Sequence, residues 1–289
     1  MSEYHSLPQP PNDETNRSPR EYQQFNLAAE KRARECVRAP MPTLHHLTRT
    51  VYDVVYEPSE DTFLLLDAIR YDFDNNINNN NKDRVRFDST AMVNTLEIGC
   101  GTGVATIYLA QLLQQQHQHH DDENSYADDT HSTSSRVTYN HYITDINPNA
   151  IRITLQTAQI NHIPLSSIYP YTCHLATPLL QTHSHSMNII LFNPPYVPTP
   201  EEEVGQSIGI EASWAGGTHG RTIINQALPQ IASLLSLNTS VAYMVVVDDN
   251  LPHDIATYMN QTFQITVIPY LRRRARNEFL TVLKMTRRI

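Results

Sequence analysis

The stretch MVNTLEIGCGTG, residues 92–103, changes character halfway along. MVNTLEI reads as a β-strand, rich in β-branched and apolar side chains. Gly99, Gly101 and Gly103 follow. They let the backbone turn sharply and approach a ligand closely, and the helix read through residue 113 then points its first N–H groups at that ligand. The spacing G-x-G-x-G is one residue tighter than the dinucleotide-binding G-x-G-x-x-G. Glu97 stands two residues ahead of the first glycine. A carboxylate there repels a pyrophosphate and tolerates a cation. A plain tight turn is the competing reading.

Outward from this unit, strands and helices alternate. Residues 137–146 read as a strand, and Asn147-Pro148 opens a helix with proline in its first turn. Residues 168–175 and 187–192 read as strands, and 221–237 carries apolar residues at helical spacing. VAYMVVV, residues 241–247, is a continuous run that suits a strand buried on both faces. A short helix near 255–259 precedes two strands, 263–270 and 278–285, separated by the basic LRRRARN. Together they predict an α/β, Rossmann-like fold: a mostly parallel seven-stranded sheet, helices on both faces, and a C-terminal antiparallel hairpin.

Composition sets limits around that fold. The net charge of -9 disfavours a chain whose main task is gripping nucleic acid. Three cysteines without a CxxC pair suggest reduced thiols, neither a zinc site nor a disulfide framework, and no metal is expected. No apolar run approaches a membrane span, and the N-terminus lacks the apolar core of a signal peptide. A cytoplasmic protein is expected, with the nucleus open as a second compartment. Residues 1–42 read as a polar, disordered tail ahead of one domain over 43–289, although 19–37 has marginal helical character. Two polar insertions are expected inside that domain, near 74–90 (asparagine-rich) and 114–136 (glutamine- and histidine-rich). His117, His119, His120, His183 and His185 are read as parts of solvated low-complexity stretches, with metal binding as the alternative.

Asp145 ends the second strand, where doubly wound folds place an acid on both ribose hydroxyls; capping of the next helix is the alternative. Glu97, the glycines and Asp145 describe a pocket for a nucleoside whose other end is positive. S-adenosylmethionine fits that description. The fourth strand ends as ILFNPPYV, residues 190–197. Proline cannot donate to a ladder, so the strand stops there on a stiff lip. The Asn193 side-chain oxygen and the Pro194 carbonyl can accept the N–H bonds of a planar NH2 group and aim its poorly nucleophilic nitrogen. Pro195 stiffens the lip, and the Tyr196 ring can pack over the planar acceptor. A simple strand-terminating turn is the other reading.

NPPY with LEIGCGTG resembles the class I methyltransferases that act on amide or amino nitrogen. VYEPSEDTFLLLDAI (55–69), TDINPNA (144–150) and GIEASWAGGTHGR (209–221) narrow the resemblance to the catalytic subunits of HemK-like eukaryotic release-factor glutamine methyltransferases. It spans residue 43 to the C-terminus, interrupted by the two insertions. The resemblance implies S-adenosylmethionine as cofactor and N5-methylation of the glutamine in the Gly-Gly-Gln loop of the class I translation release factor. It also implies a small zinc-binding activator subunit paired with an edge strand; 168–175 is the candidate edge. Thr62, Glu97, Gly99, Gly101, Asp145, His174, Leu175 and Asn193 would line the cofactor site, and Asn193 and Tyr196 the acceptor site. His174 stands where the family usually carries an aspartate on the adenine amino group. A neutral imidazole can accept that bond and an imidazolium cannot. Ser59 and the acids after it also read as a helix start. Trp214 with its neighbouring glycines suits a loop closing over a peptide, or a surface connection. Arg272, Arg273, Arg274 and Arg276 read as a solvated turn or as an electrostatic contact. N6-adenine methylation, lysine methylation and a catalytically silent scaffold are the remaining functional alternatives.

Overall fold

A computed structural model describes residues 19–73, 92–123, 137–204 and 210–287. Helices α1 (Pro19–Glu35), α2 (Arg49–Tyr52) and α3 (Glu60–Phe73) precede strand β1 (Met92–Ile98). Then come α4 (Val104–Glu123), β2 (Thr138–Asp145), α5 (Pro148–Ile160), β3 (Ile168–Thr172), α6 (Leu179–Thr182) and β4 (Ile189–Phe192). The chain ends in α7 (Thr222–Leu234), β5 (Val241–Val247), α8 (Pro252–Phe263), β6 (Ile265–Ala275) and β7 (Glu278–Arg287). The seven strands form one sheet in the order β3-β2-β1-β4-β5-β7-β6. β3 through β5 run parallel, and β7 lies antiparallel to both β5 and β6. That is the expected class.

Strand alternation explains the continuous apolar run. Ala242, Met244 and Val246 of β5 face a core layer shared with α7 and α8. Val241, Tyr243, Val245 and Val247 face the opposite layer, built with α3 and α4. Every residue of this strand is buried, so no polar position interrupts it. The chain leaves β1 toward β2 and β3 on one side and returns to β4 and β5 on the other. This reversal opens a crevice at the carboxyl ends of β1 and β4, the usual ligand position in such sheets.

Three expectations need correction. Residues 19–35 are not part of a disordered tail. They form α1, which turns Asn26, Ala29 and Ala33 inward at helical spacing. The stripe is small and partly polar, so an apolar count does not register it. Arg32 secures the helix by donating to the carbonyls of Tyr270 (2.7 Å) and Pro269 (2.6 Å), at the bulge of edge strand β6. The second correction concerns the insertion read from residue 114: α4 continues to Glu123. Its glutamines and acids contain no glycine or proline, and most are fair helix formers. Residues 1–18, 124–136 and the expected insertion at 74–90 lie outside the described residues. Third, most of LRRRARN is strand rather than turn. Arg272 is buried in a two-pronged pair with Asp248 (2.6 and 2.8 Å), and Arg273 reaches the buried Asp67 at 2.8 Å. No described helix is long and apolar enough to cross a membrane.

Because Arg32 links α1 to the sheet edge, Arg32→Ala is expected to cost about 2 kcal/mol, the range for lost hydrogen bonds from a charged donor. Denaturant unfolding measures the loss, and limited proteolysis should show new cleavage within residues 19–35. Unchanged stability and an unchanged cleavage pattern would refute the anchoring role.

Candidate active site

Strand register decides what meets at the crevice. Ile98 pairs with Thr144 on one side and Phe192 on the other, so Gly99, Asp145 and Asn193 leave the sheet side by side. Asp145 pairs in turn with Thr172, two residues before His174. A cavity of about 220 Å³ lies over these strand tips. Thr62, Glu97, Gly99, Gly101, Asp145, His174, Leu175, Asn193, Pro194, Pro195 and Tyr196 all line it. Gly99 and Gly101 have φ of 70° and 52°, and a Cβ built on either meets nothing within 4 Å. The backbone conformation calls for glycine, and the open space lets a ligand approach the main chain.

Two acids flank this turn. Asp145 accepts from the Gly101 N–H (3.0 Å) and the Asn147 N–H (2.8 Å). It does not cap α5. Asn147 does, accepting from the Asn149 N–H at 2.9 Å while donating to the Val54 carbonyl at 2.7 Å. Burial raises the Asp145 carboxyl, and the backbone donors only partly oppose that. Glu97, 6% exposed, accepts from the backbone N–H (2.9 Å) and the hydroxyl of Thr106 in the first turn of α4. Burial pushes its carboxyl up to about 8 despite these bonds. Glu97 and Asp145 are therefore desolvated carboxyls of the cavity that a positive ligand relieves. His174 is exposed at the rim, and Leu175 is buried with φ 50°.

The Asn–Pro–Pro corner is held from two sides. In front, Asp61 is 3% exposed and its Oδ2 accepts from Asn193 Nδ2 (3.2 Å), the Tyr196 hydroxyl (3.2 Å) and the Tyr56 hydroxyl (3.0 Å). Its Oδ1 accepts from the Thr62 N–H at 2.6 Å, the bond the sequence reading would give to a Ser59 cap. Burial first, and the Asp61 charge second, raise both phenols, so they act as donors and not as bases. With its nitrogen engaged, Asn193 keeps Oδ1 shielded from solvent and without a hydrogen-bond partner among the described residues. Behind the corner, the fully buried Asn250 donates to the carbonyls of Tyr196 (2.9 Å) and His219 (2.9 Å). A Cβ on Gly220 would stand 1.9 Å from the Tyr196 carbonyl oxygen, so this loop seats directly against the corner. Val197 exchanges backbone bonds with Trp214 and Gly216 (3.1 and 2.9 Å), which places the half-exposed Trp214 at the mouth.

Asp61, Tyr56 and Asn250 were missed by sequence reasoning. In EPSEDT, Asp61 reads as one of two acids favouring a helix start, and only the fold shows that it turns inward. Asn250 follows β5 in a stretch with no motif.

No protein-family model matches the chain. Methyltransferase HEMK2 of Homo sapiens is 34% identical over 242 residues, which cover 84% of this chain and 94% of that protein. The eRF1 methyltransferase catalytic subunit mtq2 of Schizosaccharomyces pombe is 31% identical over 258 residues, covering 85% and 95%. Among solved structures, the E. cuniculi Mtq2–Trm112 complex, described as methylating the eRF1 termination factor, matches with a TM-score of 0.48 at 18% identity, over 81% of this chain and 99% of that one. The sequence identity extends across nearly the full length of the curated relatives, and the chain belongs to the HEMK2/mtq2 family of methyltransferases.

Proposed function

We propose that this chain methylates the side-chain amide nitrogen of the glutamine in the Gly-Gly-Gln loop of the eukaryotic class I release factor, as the catalytic subunit of a heterodimer. One observation carries the reading: the unpartnered Oδ1 of Asn193, a cavity-lining residue at the tip of β4, followed by a rigid Pro194-Pro195. The name of the S. pombe relative, an eRF1 methyltransferase catalytic subunit, supports both the substrate and the existence of a second subunit.

The residues present fit S-adenosylmethionine. Gly99 and Gly101 leave the backbone open to a ligand, Asp145 suits ribose hydroxyls, and Glu97 with Asp145 favours a positive charge. Thr62, His174 and Leu175 would complete its contacts. Bound there, the cofactor supplies an electrophilic methyl group on a positive sulfur. Asn193 Oδ1 and the Pro194 carbonyl accept the acceptor amide's N–H bonds, orient its nitrogen and stabilise the positive charge that grows on it. Pro195 prevents the lip from yielding, and the Tyr196 ring, anchored through its hydroxyl, offers a flat surface. The acceptor nitrogen sheds one proton to solvent after transfer.

The second subunit is assigned to β3. β6, the other edge, is tied to α1 through Arg32, whereas no described element lies beyond β3, whose Tyr169, Pro170 and Thr172 are exposed. An open edge of this kind favours strand addition by a partner, here a small zinc-binding protein. Such a substrate supports a cytoplasmic location, with the nucleus as a second compartment.

With its partner, the enzyme is expected to label wild-type release factor with methyl groups and to leave unlabelled a release factor whose Gly-Gly-Gln glutamine is changed to alanine. Methyl transfer to adenine oligonucleotides or lysine peptides, with none to that glutamine, would contradict the assignment. A second expectation follows from Glu97. Its carboxyl is raised, so ionising it in the empty protein costs stability: that stability falls as pH rises from the ordinary 4.5 toward about 8. A cation prefers the ionised form, so S-adenosylmethionine affinity should rise with pH to about 8 in the wild type more steeply than in Glu97→Gln. Titration calorimetry of both proteins checks this, and parallel pH profiles would count against it.

A further inference from the structure

Asp61 lines the same cavity, and its Oδ2 collects three donors from two segments, Tyr56 ahead of α3 and the Asn193–Tyr196 corner. One is a carboxamide whose two ends are sterically alike. Nothing in the shape of an asparagine side chain says which end faces a substrate; its hydrogen-bond partners decide. A carboxylate only accepts, so it selects the nitrogen end of Asn193 and leaves the oxygen without a partner among the described residues. If the amide were reversed, Oδ1 would meet Asp61 Oδ2, acceptor against acceptor, and an NH2 group would meet the acceptor NH2 of the substrate.

We propose that Asp61 is the positioning residue of the transfer: it fixes which end of the Asn193 carboxamide faces the acceptor and makes that oxygen a stronger hydrogen-bond acceptor. The second effect follows from amide resonance. A negative charge bonded to Nδ2–H favours the resonance form with positive nitrogen and negative oxygen, and hydrogen bonds in such a chain strengthen one another. The oxygen gains electron density at the place where the acceptor nitrogen becomes positive during transfer. Asp61 is itself immobilised. The Thr62 N–H holds its Oδ1 in the first turn of α3, at the positive end of the helix dipole, and the two tyrosine hydroxyls hold Oδ2. The charge meets the Asn193 carboxamide at its nitrogen end and polarises it from there.

The rate arm of the test rests on the glutamine reading; a second arm does not. In the full-length protein with its partner subunit, Asp61→Asn is expected to lower kcat about 100-fold, while cofactor Kd and release-factor KM stay within about threefold. A kcat within about threefold of wild type, or a loss carried by Kd or KM, overturns the role. The independent arm is nuclear magnetic resonance of the Asn193 side-chain amide, assigned by its disappearance in Asn193→Ala. One of its protons should resonate downfield and exchange slowly in the wild type, as expected for a proton bonded to a carboxylate. That signal is read without substrate and without the Asp61 variant, so an unstable variant leaves the test intact. A fast-exchanging, unshifted amide overturns the proposal even if glutamine is methylated; the downfield signal sustains it even if glutamine proves the wrong acceptor.

Discussion

The hydrogen bond from Asn193 Nδ2 to Asp61 Oδ2, 3.2 Å long, joins the end of β4 to the start of α3, segments 132 residues apart. It requires α3 to lie across the carboxyl ends of the central strands with its first turn aimed at the crevice. Three buried carboxylates along α3 secure that placement. Asp61 binds the corner, Asp67 binds Arg273 and the Ala39 N–H (2.7 Å), and Asp72 pairs with the buried Lys284 at 2.5 Å beside the Tyr243 hydroxyl. Buried ions are expensive unless paired, and breaking one pair leaves the other charge stranded. Each carboxylate thus resists a different displacement of the helix: at the corner, at β6, and at β5 with β7.

The rest of the site follows from register and stiffness. β1 and β4 end level, so the glycine turn that receives a cofactor and the proline corner that receives an acceptor are adjacent without any long connecting loop. Two prolines remove ladder donors and fix the backbone, while Asn250 and the close seat of Gly220 support the corner from behind. Geometry of this sort suits a reaction whose nucleophile is an unreactive amide, where aim and charge stabilisation supply most of what chemistry leaves undone. Glu97 and Asp145 contribute on the cofactor side, since burial without neutralisation disposes both toward a positive partner.

The fold was readable because its signals are local: a strand running into glycines, a β-branched run buried on both faces, and Pro148 at a helix start. NPPY and LEIGCGTG were legible for the same reason, since one short segment carries each chemical role. What escaped reading depends on distance. Asp61 and Asn250 act across 132 and 54 residues, and neither spacing nor composition shows which of several acids or amides turns inward. α1 escaped because its buried stripe is small and its anchor is a charge on a backbone carbonyl, a contact with no pattern of its own. The arginines near the C-terminus looked like a solvated turn because their partners, Asp248 and Asp67, lie in other elements.

Asn193 is where these constraints converge, and its removal is the most direct measurement. Asn193→Ala, measured for transfer to the release-factor glutamine and separately for S-adenosylmethionine binding, should keep cofactor Kd within about threefold and lose transfer by about 1,000-fold or more. Transfer retained within about tenfold of wild type would mean that the carboxamide does not hold the acceptor, and the account would be wrong at its centre.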